Sequence, residues 1–277
     1  MTDVADHHPG PLSGRTALVS GSGRGIGRAI ATALAAAGAT TVILARHPDQ
    51  VADAVEEITS QGGVAIAAPV DLTDAAAIEA VGAEVLEKVG GVDILVNNAG
   101  INMKRPFIAL PVPEGTAIGQ PGSGPAQVGM PDEEWDAIFD THVRASMRLI
   151  RQFVPGMLDR RWGRVINIGS SAVERTPNFS GPYKVAKGTM MHLTRALAKE
   201  WAEYGVTVNA IAPGHFRTDM SKALHDSPEG QTWLRERIPM RHAGDVRELG
   251  ALAAFLSGDL ASFITGQVIY VDGGETL

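Results

Sequence analysis

The sequence predicts an α/β protein built on one doubly wound parallel sheet, with helices on both faces. Short apolar runs alternate with alanine-rich helical stretches along the whole chain of 277 residues, and no break in composition separates a second domain. The apolar runs show little alternation with polar residues, as expected for strands that are covered on both faces. Repeated strand–helix units connect through right-handed crossovers and give a Rossmann-type sheet.

Seven apolar runs are predicted as strands, and the periodic stretches between them as helices. The predicted strands are Thr16–Ser20, Thr41–Ala45, Val64–Pro69, Ile94–Val96, Arg164–Ile168, Thr207–Ile211 and Gln267–Val271. The predicted helices are Ile26–Ala37, Gln50–Gln61, Ala75–Val89, Glu133–Arg160, Tyr183–Tyr204 and Val246–Ser257. The stretch Asp219–Arg241 is predicted to be helical with a mobile entry.

Two segments do not follow this alternation of strands and helices. Residues Met1 to Pro11 are predicted to form a frayed, disordered tail before a single domain that starts at Leu12. The stretch Pro106–Pro131 is rich in proline and glycine, so it resists both helix and strand and is predicted to be a long inserted loop. Long loops of this kind are either functional or disordered, and the sequence leaves both possibilities open.

Composition excludes several classes of function. The chain has 24 basic and 31 acidic residues and a net charge of −7, which disfavours nucleic acid as a partner. It has no cysteine, so disulfides, zinc–thiolate sites and cysteine nucleophiles are excluded, and no metal site is predicted. The first residues lack the basic and apolar regions of a signal peptide, so secretion is not expected, and no apolar run is long enough to span a bilayer. A cytoplasmic protein without membrane association is expected.

A glycine-rich turn between the first strand and the first helix predicts a nucleotide site. Glycines let the backbone approach a pyrophosphate, and the helix that follows offers its free N–H groups and the positive end of its dipole to that anion. A tight turn without a ligand remains the alternative. The residues of this turn are Gly21, Ser22, Gly23, Arg24, Gly25, Ile26 and Gly27.

The end of the second strand favours NADP over NAD. An acidic residue there would bind the ribose 2′-hydroxyl, whereas an arginine accommodates a 2′-phosphate. The chain places Arg46 at this point, and Asp49 is the first carboxylate to follow. Arg24 in the glycine turn adds a second cation with the planar geometry that suits phosphate oxygens. NADP is therefore the preferred cofactor and NAD a possible one, unless Arg46 is only a solvated surface residue.

The motifs taken together resemble the short-chain dehydrogenase/reductase family, over Leu12 to Gly274. The resemblance lies in the glycine turn, in Asn97-Asn98-Ala99-Gly100 after the fourth strand, in Ser170, in Tyr183-x-x-x-Lys187, in Pro213-Gly214-x-x-x-Thr218 and in the C-terminal Val271-Asp272-Gly273-Gly274. It implies that Asp71, with Leu72, meets the adenine and that Asn98, Ala99 and Gly100 lie beside the adenine ribose. It also implies that Lys187 binds the nicotinamide ribose and that Pro213, Gly214 and Thr218 hold the carboxamide.

The residue types of Tyr183, Lys187 and Ser170 indicate a chemistry of their own. Tyr183 and Lys187 are four positions apart and so share one face of a helix. The lysine ammonium is expected to lower the pKa of the phenol, which lets Tyr183 exchange a proton with a substrate oxygen. Ser170 ends the fifth strand and is expected to donate a hydrogen bond to that oxygen. Alternatively, the tyrosine only packs, the lysine is a solvated helix charge and the serine caps a turn.

One position departs from the family pattern. Many members carry an asparagine where this chain has His142, in the helix that starts near Glu134-Trp135-Asp136. In the family that residue helps to hold a water through its main-chain carbonyl, which a histidine retains. Because histidine titrates near neutrality, His142 is also a candidate for proton transfer. A histidine that only fills the same space is the alternative.

The substrate is expected to be a small ketone or the matching secondary alcohol. Within the family, Asn178–Gly274 resembles the gluconate 5-dehydrogenase group, which implies a keto-sugar acid, and Lys104 and Arg105 are candidate cations for its carboxylate. The alternatives are a 3-oxoacyl thioester, a cyclic or steroid-like ketone, or a protein that senses the nucleotide without turnover. The family also implies a homotetramer or homodimer.

Overall fold

A seven-stranded sheet with the strand order β3-β2-β1-β4-β5-β6-β7 organises the protein, and every pairing between neighbouring strands is parallel. The computed structural model describes residues 10–112, 128–175, 179–218 and 221–277. The strands are β1 (Thr16–Ser20), β2 (Thr40–Ala45), β3 (Val64–Pro69), β4 (Ile94–Asn97), β5 (Gly163–Ile168), β6 (Val206–Pro213) and β7 (Val268–Val271).

Helices cover both faces of this sheet. They are α1 (Gly25–Ala36), α2 (Pro48–Ser60), α3 (Ala75–Val89), α4 (Asp132–Phe139), α5 (Ala145–Asp159), α6 (Gly181–Trp201), α7 (Lys222–Asp226), α8 (Pro228–Arg237) and α9 (Val246–Ser257). The helices α1, α2 and α9 bury their apolar stripes in one core layer, and α3, α5 and α6 bury theirs in the other. Among the described helices, none combines the length and the hydropathy that crossing a bilayer requires.

The strand order reverses beside β1, because the chain runs outward through β2 and β3 and then returns to place β4 on the other side of β1. In open parallel sheets the crevice at such a reversal, beyond the carboxyl ends of the strands, is where ligands bind. The glycine turn follows β1 and the Asn97–Gly100 motif follows β4, so both motifs meet at this crevice.

The predicted fold class is confirmed, and each predicted strand overlaps an observed one. Burial differs from the prediction at the two edges of the sheet. β3 and β7 are partly exposed, whereas the five strands between them are almost entirely buried. An edge strand has only one neighbour, and its apolar composition alone does not reveal that position.

The predicted helix Glu133–Arg160 is interrupted. The chain forms α4, then a π-helical turn over Asp140–Arg144, and then α5. Part of the predicted tail (residues 1–9), of the predicted loop (residues 113–127) and of the stretch Asp219–Arg241 (residues 219–220) lies outside the described residues. The flanks of the loop, 106–112 and 128–131, contain neither helix nor strand.

Candidate active site

The ends of β1 and β4 are joined by a small set of polar contacts. The Ser20 hydroxyl accepts the backbone N–H groups of Asn98 (3.0 Å) and Ala99 (3.1 Å). The Asn98 side-chain amide donates to the carbonyls of Ser20 (2.9 Å) and Gly21 (3.1 Å). These bonds fix the Asn97–Gly100 motif against the glycine turn. Two motifs that are distant in sequence therefore form one wall of the crevice.

The glycine turn fits a phosphate. Gly21 and Gly25 have φ values of 66° and 59°, in the left-handed region that favours glycine. A β-carbon on Gly27 would lie 2.4 Å from the Asn98 side-chain nitrogen, so only glycine lets α1 approach this wall. The side chain of Arg24 does not cap α1, and the first turn of the helix has no acidic residue. Its N–H groups are therefore available to an anion.

The side chains predicted to bind the adenosine half lie around the ends of β2 and β3. Arg46 and Arg24 are exposed, and an Arg46 guanidinium nitrogen lies 3.4 Å from His47 Nε2. Asp71 accepts the backbone N–H (2.9 Å) and hydroxyl (2.8 Å) of Thr73, and these two bonds hold its pKa below the usual value. Asp71 therefore stays ionised at neutral pH. Leu72 beside it is buried, as is Ser22 in the glycine turn, whose hydroxyl donates to Val19 O (2.7 Å).

The segment after β6 reaches back to the glycine turn. Gly214 packs against the C-terminal tail so closely that a β-carbon there would lie 2.7 Å from Asp272 Cα. Thr218 lies over Gly25, with its methyl carbon 3.7 Å from where a β-carbon of that glycine would be. The structure thus brings together the glycine turn and the Pro213–Thr218 segment, both predicted to hold the cofactor.

Ser170, Tyr183 and Lys187 meet at the end of β5. The Ser170 side chain interacts with the Tyr183 hydroxyl, and this interaction acts to lower the pKa of the phenol. The Lys187 ammonium lies 5.9 Å from the centre of the Tyr183 ring and donates to Ile168 O at 2.6 Å. Lys187 is buried, with 5% of its surface exposed. The arrangement places a hydroxyl, a phenol and a cation side by side, as the sequence predicted.

The pKa values of this group differ from the prediction. Burial raises the pKa of Tyr183, and the Ser170 hydrogen bond only partly offsets this. Burial lowers the pKa of Lys187 to about 8. The expectation that Lys187 lowers the pKa of the phenol is therefore not met, because removal from water disfavours the phenolate more than its neighbours stabilise it. Tyr183 is a protonated phenol at neutral pH.

His142 lies in the π-helical turn, beside Tyr183, and is 2% exposed. The two rings meet edge to face with their centres 5.4 Å apart. His142 Nε2 lies 2.7 Å from Ile101 O and 3.0 Å from Ile101 N, while Nδ1 is buried and has no hydrogen-bond partner among the described residues. A β-carbon at Gly100 would lie 2.2 Å from the ring, so that glycine makes room for it.

His142 does not titrate near neutrality. Burial, together with the charge of Lys187, lowers the pKa of His142 to about 3, although the bond to Ile101 acts in the other direction. The expectation based on the usual pKa of histidine is therefore wrong, because a buried imidazolium next to an ammonium is strongly disfavoured. The main-chain carbonyl of His142 accepts the Ser146 hydroxyl at 2.8 Å.

The two candidate substrate cations differ in their surroundings. Arg105 Nε donates to both carboxylate oxygens of Glu134, at 2.9 and 2.7 Å. Lys104 is half-buried, and burial lowers the pKa of its ammonium. A substrate carboxylate would have to compete with Glu134 for Arg105.

A chain of buried polar side chains behind the site was not predicted from the sequence. Asn97 donates to Asn167 (2.9 Å), and Asn167 donates to Thr194 on α6 (2.9 Å). These bonds link β4, β5 and the helix that carries Tyr183 and Lys187. The signal was present, because an asparagine inside an apolar strand needs a partner when it is buried.

The chain matches the family model described as "Enoyl-(Acyl carrier protein) reductase" over residues 21–276. It belongs to the short-chain dehydrogenase/reductase family. Relatives in this family include the 5-keto-D-gluconate 5-reductase of Escherichia coli (strain K12), which is 34% identical over 95% of this chain and 96% of that protein. The 3-oxoacyl-(acyl-carrier-protein) reductase of Vibrio cholerae is 36% identical over 95% of this chain and 98% of that protein.

A solved structure of this family is similar over nearly the whole chain. It is a gluconate 5-dehydrogenase from Burkholderia cenocepacia J2315 in complex with NADP and tartrate, and it is 34% identical. The match covers 96% of each chain, with a TM-score of 0.83. The chain is therefore an oxidoreductase of the short-chain dehydrogenase/reductase family.

Proposed function

We propose that the protein is an NADP-preferring oxidoreductase that interconverts a ketone and a secondary alcohol, with Tyr183 as the general acid or base. The observation that carries this proposal is the interaction of Ser170 with Tyr183 at the end of β5, together with the buried ammonium of Lys187 near the same ring. A hydroxyl donor, a proton donor and a cation at one point are what the reduction of a carbonyl requires from the protein.

In ketone reduction each residue has a distinct task. NADPH, when bound, supplies the hydride. Ser170 donates a hydrogen bond to the substrate oxygen and holds it next to Tyr183. Tyr183, protonated because burial raises its pKa, gives its proton to the oxygen as negative charge develops there. The ammonium of Lys187 stabilises the phenolate that remains. In alcohol oxidation the same phenolate takes up the proton.

The cofactor would lie across the crevice at the carboxyl ends of the strands. Its pyrophosphate fits the uncapped start of α1, and Arg46 and Arg24 are cations for a 2′-phosphate. The NADP complex of the relative from Burkholderia cenocepacia supports NADP, and NAD remains a possible second cofactor. The proposed contacts are Gly21, Ser22, Gly23, Arg24, Gly25, Ile26, Gly27, Arg46, Asp71, Leu72, Asn98, Ala99, Gly100, Tyr183, Lys187, Pro213, Gly214 and Thr218.

Replacement of Arg46 is expected to weaken the preference for NADPH. Arg46→Ala removes a charge-assisted bond to the 2′-phosphate, so the KM for NADPH should rise about tenfold while the KM for NADH stays unchanged. Steady-state KM values for both cofactors measure this. Arg28→Ala is the matched control, because Arg28 binds Glu57 and Asp53 O instead. An unchanged ratio of the two KM values in Arg46→Ala would contradict the role of Arg46.

For the substrate we propose a keto-sugar acid, with Lys104 or Arg105 as the cation for its carboxylate. The names of the relatives from Escherichia coli and Burkholderia cenocepacia support this class. A 3-oxoacyl thioester is the second candidate, supported by the relative from Vibrio cholerae. A cyclic ketone is the third candidate substrate. It is supported by a solved 7α-hydroxysteroid dehydrogenase, complexed with NADH and an oxo-steroid, that is 31% identical to this chain.

A ketone panel tests the reaction and the substrate class together. Cofactor consumption is measured with NADPH and with NADH on 5-keto-D-gluconate, a 3-oxoacyl thioester and a steroid ketone. We expect turnover of 5-keto-D-gluconate with NADPH as the better cofactor. A preference for either of the other ketones would overturn the sugar-acid class but keep the reaction. Cofactor binding without turnover of any ketone would favour a nucleotide-sensing protein instead.

His142 is proposed to act as an uncharged hydrogen-bond acceptor beside the reacting group. Its buried Nδ1, which has no partner among the described residues, and its contact with Tyr183 support this role. We propose a homotetramer or homodimer as the assembly. We propose the cytoplasm as the location, and the absence of cysteine supports this location.

A further inference from the structure

The C-terminal tail buries a carboxylate. The side chain of Glu275 is 1% exposed. A turn around Asp272 holds it there, because the Asp272 carboxylate accepts the backbone N–H of Gly274 (2.9 Å) and both the N–H (3.0 Å) and the hydroxyl (2.7 Å) of Thr276. A buried carboxylate is strongly destabilising unless it is paired, so its partners matter.

Three basic side chains surround Glu275. Arg175 and Arg237 (2.8 Å) donate to one carboxylate oxygen, and His215 Nε2 lies 3.4 Å from it. Arg175 is itself 12% exposed, whereas Arg237 is 39% exposed. Burial alone would raise the pKa of Glu275, but the hydrogen bond and charge of His215, with the charge of Arg175, lower it. Glu275 is therefore ionised at neutral pH.

Two of these partners belong to the segments that flank the proposed reaction centre. Arg175 lies at the end of the short turn that begins at Ser170, and it donates to the Ser171 hydroxyl at 3.0 Å. His215 directly follows Gly214, whose backbone N–H donates to Val271 O at 2.9 Å. One carboxylate thus joins the segment that carries Ser170 to the segment proposed to hold the nicotinamide.

Backbone bonds anchor the start of both segments, because Gly169 N–H donates to Ile211 O (2.7 Å) and Gly214 N–H donates to Val271 O. Side-chain contacts with the C-terminal part of the chain hold them as well. The Tyr270 hydroxyl on β7 donates to Glu174 at 2.7 Å, next to Arg175. The second carboxylate oxygen of Glu275 and the Nε of Arg175 are buried without a partner among the described residues. The ionic cluster therefore adds a side-chain link between the turn that follows Ser170 and the segment that follows β6.

We propose that Glu275 is a positioning residue for the reaction. By holding Arg175 and His215 it sets the distance between Ser170 and the nicotinamide, and thus the alignment of the substrate oxygen. This inference rests on the proposed function. An error of about 1 Å in such an alignment can reduce the rate about 100-fold.

The test compares two variants that remove different partners of the same cluster. Glu275→Gln keeps the shape of the side chain and removes the charge, so kcat should fall about 10- to 100-fold while the Kd for NADPH stays within about twofold. Arg175→Gln should behave in the same way. Arg237→Gln removes only the exposed partner, which belongs to α8, and its kcat should stay within about twofold of the wild type.

Kinetics and stability are measured separately. NADPH with 5-keto-D-gluconate, or with the ketone that the wild type turns over fastest, gives kcat, quenching of protein fluorescence gives Kd, and thermal unfolding gives Tm. The double variant Glu275→Gln/Arg175→Gln should be no slower than the slower single variant, because both changes break one contact. A purely structural role of Glu275 would lower Tm without the fall in kcat that is expected for Glu275→Gln and Arg175→Gln.

The outcomes separate the two proposals. If Glu275→Gln and Arg237→Gln reduce kcat equally, or if Glu275→Gln is as active as the wild type, the positioning role is overturned. If Glu275→Gln does not fold, Arg175→Gln decides by the same criteria. A wild type that reduces no ketone would overturn the proposed function itself, and the inference with it.

Discussion

Tyr183→Phe is expected to reduce kcat for ketone reduction by about 10³-fold or more, which corresponds to about 4 kcal/mol of transition-state stabilisation. Phenylalanine keeps the ring that packs edge to face on His142 but removes the hydroxyl that contacts Ser170. Stopped-flow measurement of NADPH oxidation gives the rate, and the Kd for NADPH should change by less than about threefold.

The chain offers a matched control for this variant. Tyr204 is another tyrosine, and it lies in the short helical turn that follows α6. Its ring packs under the guanidinium of Arg161. Tyr204→Phe also removes one hydroxyl and should leave kcat unchanged. Turnover by Tyr183→Phe at more than a tenth of the wild-type rate would show that another group supplies the proton.

Lys187→Met is expected to lower kcat by about 10²-fold or more, because the phenolate formed on Tyr183 then has no cation beside it. Methionine is similar in length and suits a buried site, so the fold should be retained. The wild type should also show a pH limit that comes from this lysine. The pKa of Lys187 is lowered to about 8, so its ammonium is complete below this pH and is lost as the pH rises through it.

The pH profile of kcat/KM for NADPH measures that limit in the free enzyme. A falling limb near pH 8 is expected, and no step near pH 6 to 7, because the pKa of His142 is about 3. In Lys187→Arg the limb should move to higher pH, since arginine remains charged over this range. A limb that is unchanged in Lys187→Arg would assign it to another group.

The protonation states of the site residues illustrate what the sequence could not determine. The sequence predicted Ser170, Tyr183 and Lys187 as a group because two of them share a helix face and the third ends a strand. It did not predict the direction of the pKa shifts, since these depend on how much water each group loses. Burial of Tyr183 and His142 is a property of the packed structure and outweighs the partners that can be read from the sequence.

The ionic cluster around Glu275 is a second example. Arg175, His215 and Glu275 are distant in the sequence, and each one alone reads as an ordinary surface charge. Their meeting requires that the ends of β5, β6 and β7 lie side by side, which follows only from the strand order. The π-helical turn at Asp140–Arg144 likewise has no signal in a continuous helical pattern.

The sequence by itself determined the order of strands and helices, the parallel sheet, and the motifs that lie at its carboxyl edge. It could do so because hydrophobic periodicity and glycine positions are local properties of the chain. The tertiary structure alone decided which strands lie at the edges, which groups are charged at neutral pH, and which side chains hold the reaction centre in place. The physical reason is that burial and ion pairing are set by neighbours that come from distant parts of the chain.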